Sequence, residues 1–145
     1  DKLYLAAFLQ ETGKILIASE VIEEDEVTSF YSEVALSNDL TQVERMYVDV
    51  ATAEVTAKVF EHWNFDNEFV DMSLHSQEPN NAPKEIQEYS RALNIVKTIV
   101  PMNNPFSEVS INFGLKKAKD AGYDEEKLKK IIQDICNQLE NKKDV

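Results

Sequence analysis

Apolar residues recur along this chain at spacings of three and four almost throughout, the period of helices with one face turned inward. In the last segment Leu128, Ile131, Ile132, Ile135, Cys136 and Leu139 form one broad apolar face, with Lys127, Lys129, Lys130, Gln133 and Asp134 outside it. That pattern predicts a helix from Glu125 to Asn141, with Asp124 as its N-cap. Upstream, Ile86, Tyr89, Leu93, Val96 and Val100 predict a helix over Lys84 to Val100, ended by Pro101 and Pro105. Val55, Val59 and Trp63 step by four along another, stopped by Asn64, and Asp66 caps the one that follows. These stripes, Trp63 included, are expected to pack the core, because each helix of a small domain must bury a face.

The remaining apolar runs predict a helix from Lys2 to Thr12 and a continuation or kinked second piece from Lys14 to about Ile22, around Gly13. Further helices are expected from Glu24 to Leu36 and from Leu40 to Val48, the latter capped by Asp39 or Asn38. Ser76 to Pro83 reads as a polar loop. With only 3 Gly and 4 Pro in 145 residues there is little turn chemistry for hairpins. The expected fold is all-α, a compact multi-helix bundle occupying residues 1–145 as a single domain.

Leu3 to Leu9 are apolar almost all round, which suits a helix covered by further structure. The expectation is that this is the C-terminal part of a larger helical domain, with exposed apolar surface marking where earlier helices pack.

Composition narrows the function. The net charge is -12, and residues 1–114 carry 7 Lys/Arg against 20 Asp/Glu, while residues 115–145 carry 8 against 7. Nucleic acid is an unsuitable partner for such a surface, since phosphate binding requires a concentrated basic face. The acidic body suits a basic partner surface, although Glu23-Glu24-Asp25-Glu26 also fits the start of a solvated helix. No apolar run reaches the roughly 20 residues of a membrane span and no secretory signal is recognisable, so a cytoplasmic location and no membrane partner are expected. The one cysteine, Cys136, falls on an apolar stripe and is expected to be a buried thiol.

No phosphate-binding glycine loop, nucleophile elbow, paired-cysteine metal spacing or His-Glu-x-x-His helix occurs. What the chain has instead is a set of partial signatures. Phe8-Leu9-Gln10-Glu11-Thr12-Gly13-Lys14 is followed by Ile15-Leu16-Ile17; Thr52-Ala53-Glu54-Val55-Thr56-Ala57 leads to Phe60-Glu61-His62-Trp63-Asn64-Phe65; and Phe69-Val70-Asp71-Met72-Ser73-Leu74 runs into His75-Ser76.

In order and spacing these resemble the metal-binding tracts of HD phosphohydrolases and, more closely, the HDOD domains (HD-related output domains). The first tract of the HD enzymes reads Leu-Leu-His-Asp-Ile-Gly-Lys, the HDOD second signature His-Ala-Glu-Val-Gly-Ala, and the third ends in paired histidines. The resemblance implies an HD-like bundle and a degenerate cleft formed by Gln10, Glu11, Lys14, Thr52, His75 and Ser76. Gln10 replaces an imidazole by an amide, Thr52 replaces another by a hydroxyl, and Ser76 removes half of a histidine pair, leaving Glu11 and His75. Two ligands fall short of the three protein ligands usual for a catalytic metal. His62 reads as a surface side chain, and His75 as either a surviving ligand or an ordinary hydrogen-bonded residue. Lys14 matches a lysine that lies near substrate phosphate in the enzymes, or pairs with Glu11 three residues earlier.

The implied function is a bacterial-type, non-catalytic regulatory domain, a pseudoenzyme with no metal, no cofactor and no catalytic residue, acting in signal transduction by contact with other signalling proteins. The alternatives are a divergent metal-dependent phosphohydrolase and a metal-free nucleotide-sensing domain. The sequence does not specify the oligomeric state.

Overall fold

A computed structural model describes residues 2–37 and 39–143. Among them the fold is all-α, with no strand. In chain order the helices are α1 (Lys2–Leu9), α2 (Gly13–Glu23), α3 (Val27–Leu36), α4 (Leu40–Val48), α5 (Thr52–His62), α6 (Asn67–Leu74), α7 (Gln87–Ile99), α8 (Glu108–Asp120) and α9 (Glu125–Lys143). They form two compact units, Asp1–Leu93 and Asn94–Val145, divided within α7.

In the first unit α5 packs against both α2 and α6, α4 packs against α2 and α3, and α1 packs against α6. Its core is Ala6, Phe60, Phe69, Met72, Ala82, Ile86 and Leu93. The aromatic centre is close-packed, with Phe65 and Phe69 stacked at 4.7 Å between ring centroids and Phe60 tilted 4.8 Å from Phe69. The second unit is built on Ile95, Ile99, Leu115, Ala118 and Ile132, with Phe106, Ile111, Tyr123, Leu128 and Cys136 packed around them.

The turns follow local chemistry. Asp39 caps α4 by accepting from the Gln42 N–H at 3.2 Å; Asn38, the other expected cap, lies outside the described residues. Asp66 caps α6 through the Phe69 N–H at 3.0 Å, and Asp124 caps α9 through the Lys127 N–H at 3.0 Å. Asn64 takes the left-handed conformation, φ 59°, which lets the chain reverse between α5 and α6.

Several expectations are corrected. The helix expected over Lys2 to Thr12 stops at Leu9, because Gln10 to Thr12 form a turn that brings Gly13 onto α5. The helix expected from Glu24 starts only at Val27, since Asp25 sits at φ 58°. Glu23-Glu24-Asp25 therefore close α2 and do not open α3.

On α5 the core face is Ala53, Thr56, Ala57 and Phe60; Val55 and Val59 are half-buried and Trp63 is 53% exposed. The small residues are inside because α2 and α6 both press on this helix. On α7, which begins at Gln87, the buried positions past Ile86 are Ser90, Leu93, Asn94, Ile95 and Ile99, while Tyr89, Val96 and Val100 are exposed. Only Ile132 of the broad α9 face is fully buried, and Cys136 is half-buried.

The apolar spacing gives no expectation for α8. It is nonetheless well signalled, with the Ser107 Oγ accepting from the Ser110 N–H at 3.1 Å, Glu108 in the first turn, and Lys117 and Lys119 in the last. Gly114 lies where a Cβ would collide with the Ile99 side chain.

Candidate functional site

The turn between α1 and α2 carries the first signature, and α5 holds it in place. The Thr56 hydroxyl donates to the Gln10 carbonyl at 3.1 Å and accepts from the Gly13 N–H at 2.9 Å. A Cβ on Gly13 would stand 2.5 Å from the Thr52 carbonyl oxygen and 2.7 Å from the Thr56 Oγ1. Glycine is thus required by close approach of the two backbones, and the approach sets Gln10 to Lys14 against the first turn of α5.

Thr52, the first residue of α5, is sealed by a residue that the signatures do not include. Glu44 on α4 is only 3% exposed. Its Oε2 accepts from the Thr52 N–H at 2.7 Å and its Oε1 from the Thr52 hydroxyl at 2.6 Å. The carboxylate also faces the positive end of the α5 dipole, the favourable placement for an anion. Beside it Arg45 pairs with Glu54 at 2.9 Å, and Glu54 accepts from the Ala51 N–H at 2.9 Å. The sequence did carry a signal for Glu44. With Leu40, Val43 and Tyr47 it occupies the inward stripe of α4, where a charged group must be partnered.

The other candidates are placed as follows. Gln10 is buried, and its side-chain oxygen has no hydrogen-bond partner among the described residues. Glu11 and Lys14 pair with each other at 2.5 Å, both largely covered, which realises the local i,i+3 pairing. His75 is half-buried at the C-terminal end of α6, with its N–H on the Asp71 carbonyl at 3.0 Å. Its ring makes no hydrogen bond or ion pair to the other candidates among the described residues. Ser76 is buried directly after it, its N–H on the Ser73 carbonyl at 3.2 Å. His62 is exposed.

The structure thus brings the Gln10–Lys14 turn and Thr52 onto one contact surface. The donor set does not fit an HD-type metal centre. The Thr52 hydroxyl is already committed to Glu44, Gln10 offers a neutral amide, and among the described residues no three His, Cys, Asp or Glu side chains are grouped to hold an ion.

At the other end of α6, Lys2 bridges Asp66 at 3.1 Å and Glu68 at 2.5 Å. The hydrogen bond to Glu68, then that to Asp66, raises the Lys2 pKa; the Phe69 N–H, then Lys2, lowers that of Asp66.

With this geometry in hand, the comparisons place the chain. The sequence model of the HDOD domain matches residues 1–79, more than half of the length, and the chain belongs to that family. Among solved structures it is similar to a virulence factor from Campylobacter jejuni subsp. jejuni, with a TM-score of 0.65 and 18% identity. That match covers 83% of this chain and 47% of the other, so the chain spans about half the length of that protein. The likeness corroborates the all-α, HD-like fold. The curated proteins contain no match to this sequence.

Proposed function

We propose that the chain is a non-catalytic regulatory domain of cytoplasmic signal transduction, acting by contact with other signalling proteins. The single observation that carries the reading is the Glu44–Thr52 pair. A position that resembles a metal-binding histidine is a threonine whose hydroxyl and amide are both engaged by a buried carboxylate. The cleft has been turned into structural packing, and the helical frame around it is kept. Lys14, the candidate phosphate contact, is held by Glu11, so nucleotide sensing would first have to break a largely covered ion pair.

Elemental analysis of the chain purified without chelator, together with a phosphodiesterase assay in millimolar Mn2+, tests the proposal. The expected outcome is substoichiometric metal and no turnover. A stoichiometric transition metal accompanied by turnover would replace it with the divergent phosphohydrolase.

A further inference from the structure

Helix α2 is apolar on two faces. Gly13, Ile17 and Val21 are buried against the neighbouring helices. On the opposite side Ile15, Ala18, Ser19 and Ile22, at i, i+3, i+4 and i+7, face solvent, with Ile15 72% and Ile22 65% exposed. The described helices cover the inner face of α2 and leave this outward stripe uncovered. The next helix shows the same lack of cover. No residue of α3 is fully buried, and its Tyr31 and Leu36 are largely exposed.

The charge around this stripe is one-sided. Residues 15–44 contain eight Asp/Glu and no Lys or Arg. Five of those acids, Glu20, Glu23, Glu24, Asp25 and Glu26, are exposed and cluster at the C-terminal end of α2. The helix dipole is already negative there, so each acid works against α2.

Resting on the reading of the domain as a protein-interaction module, we infer that the outer face of α2 docks an amphipathic helix of a partner protein. That helix carries apolar residues at i, i+3/i+4, i+7 and Lys or Arg where it passes Glu20 to Glu26. A helix is the matching shape, because the stripe spans two turns, about 10 Å, and side-by-side helices interlock rows of that spacing. The basic flank follows from charge complementarity. A second copy of this chain is the poorer occupant, since pairing α2 with α2 would bring two strongly acidic units together.

The probe is a fluorescein-labelled leucine/lysine peptide of about 14 residues, patterned to form an amphipathic helix on binding, with a leucine/glutamate peptide of the same pattern as control. Anisotropy is read with the full chain. The lysine peptide is expected to bind, and Ile15→Ser/Ile22→Ser to weaken it at least about tenfold. Glu20→Lys/Glu23→Lys is expected to do the same and to remove most of the loss seen between about 0.05 M and about 0.5 M NaCl. Glu126→Lys/Glu140→Lys on α9, an equal change of charge, should leave binding within about twofold. Circular dichroism melting confirms that each variant is folded; all the substituted side chains are exposed, and the isoleucine and glutamate pairs test the face independently.

Absence of binding, equal binding of the glutamate peptide, or unchanged affinity in both face variants overturns the inference. A concentration-dependent dimer in sedimentation that Ile15→Ser/Ile22→Ser abolishes also overturns it, in favour of the second copy. Each of these outcomes leaves the regulatory reading standing, whereas stoichiometric metal with turnover removes that reading and says nothing against the face.

Discussion

Glu44 and Thr52 form the buried contact that joins α4 to the start of α5, and its energetics can be separated by substitution. Glu44→Ala leaves the Thr52 N–H and hydroxyl, both buried, without an acceptor. Hydrogen bonds to a charged group contribute about 1.5–3 kcal/mol, so the loss should be about 3 kcal/mol or more. Thr52→Val keeps the N–H bond and removes one donor from a buried carboxylate, and should cost less, about 1–3 kcal/mol. Because the residues share the interaction, the double variant should lose clearly less than the two single losses combined. Urea denaturation monitored by circular dichroism measures all three; strict additivity would mean that the pair is not coupled. A titration belongs at this scale too. The Asp66 pKa is depressed in the folded state, chiefly by the Phe69 N–H, so its stabilisation is present above the unfolded carboxylate pKa and is lost as pH falls through the folded value. Lys2 is raised, so its contribution is present below the unfolded lysine pKa and is lost as pH rises through the folded one. Amide protection at Phe69 and Val70, relative to the intrinsic exchange rate at each pH, should fall on acidification, and Asp66→Asn should flatten that response. An unchanged profile in the variant would assign the effect to another carboxylate.

The close approach of α2 to α5 turns on one glycine, and opposing terms decide what a methyl group there does. Alanine would improve helix propensity by about 1 kcal/mol at most. It would also place Cβ 2.5 Å from the Thr52 carbonyl and 2.8 Å from the Thr56 nitrogen, both backbone atoms that cannot swing aside. Overpacking of this kind costs about 1–3 kcal/mol. Gly13→Ala should therefore lower stability and weaken the Gly13–Thr56 hydrogen bond, with a reduced urea midpoint as the readout; a raised midpoint would mean that the helices part easily. The same region shows what the sequence made legible. The caps at Asp39, Asp66 and Asp124 and the breaks at Asn64 and Pro101 are local properties, and each is found where the pattern puts it. The choice of buried face is not local. Val55, Val59 and Trp63 step by four like a core stripe, but α2 and α6 both pack on α5, and the positions they bury are Ala53, Thr56, Ala57 and Phe60. On α8, Gly114 and the alternating Val109, Ile111, Phe113 and Leu115 blur the helical period. In the site, the Glu11–Lys14 pair was readable from spacing alone. The Glu44–Thr52 pair joins two helices: the inward stripe of α4 shows that Glu44 needs a partner, and nothing local to either helix names Thr52 as that partner.

Across the whole molecule, charge is distributed in a way that folding alone does not favour. Residues 1–93 carry 6 Lys/Arg against 19 Asp/Glu, whereas residues 94–145 carry 9 against 8. Among the described residues Lys2, Lys14, Arg45 and Lys58 each pair with a carboxylate, and six cations cannot neutralise 19 acids one to one. Adding NaCl has two opposite effects: it screens repulsion among these carboxylates and it weakens the exposed ion pairs. Such pairs contribute about 0–1 kcal/mol each, and the repulsive encounters outnumber them, so screening should prevail. The melting temperature should rise by a few degrees between about 0.01 M and about 0.2 M NaCl, as the Debye length contracts from about 30 Å to below 10 Å, and then level off. Glu24→Lys, which puts a cation at the C-terminal cap of α2, should raise the melting temperature at low salt and reduce its salt dependence. A flat or falling curve would show that the ion pairs dominate and that the acid cluster is neutral for stability. A rising curve, with Glu24→Lys more stable than the natural chain, would mean that the acids at the end of α2 are retained against the stability of the fold, as a binding surface for a basic helix requires.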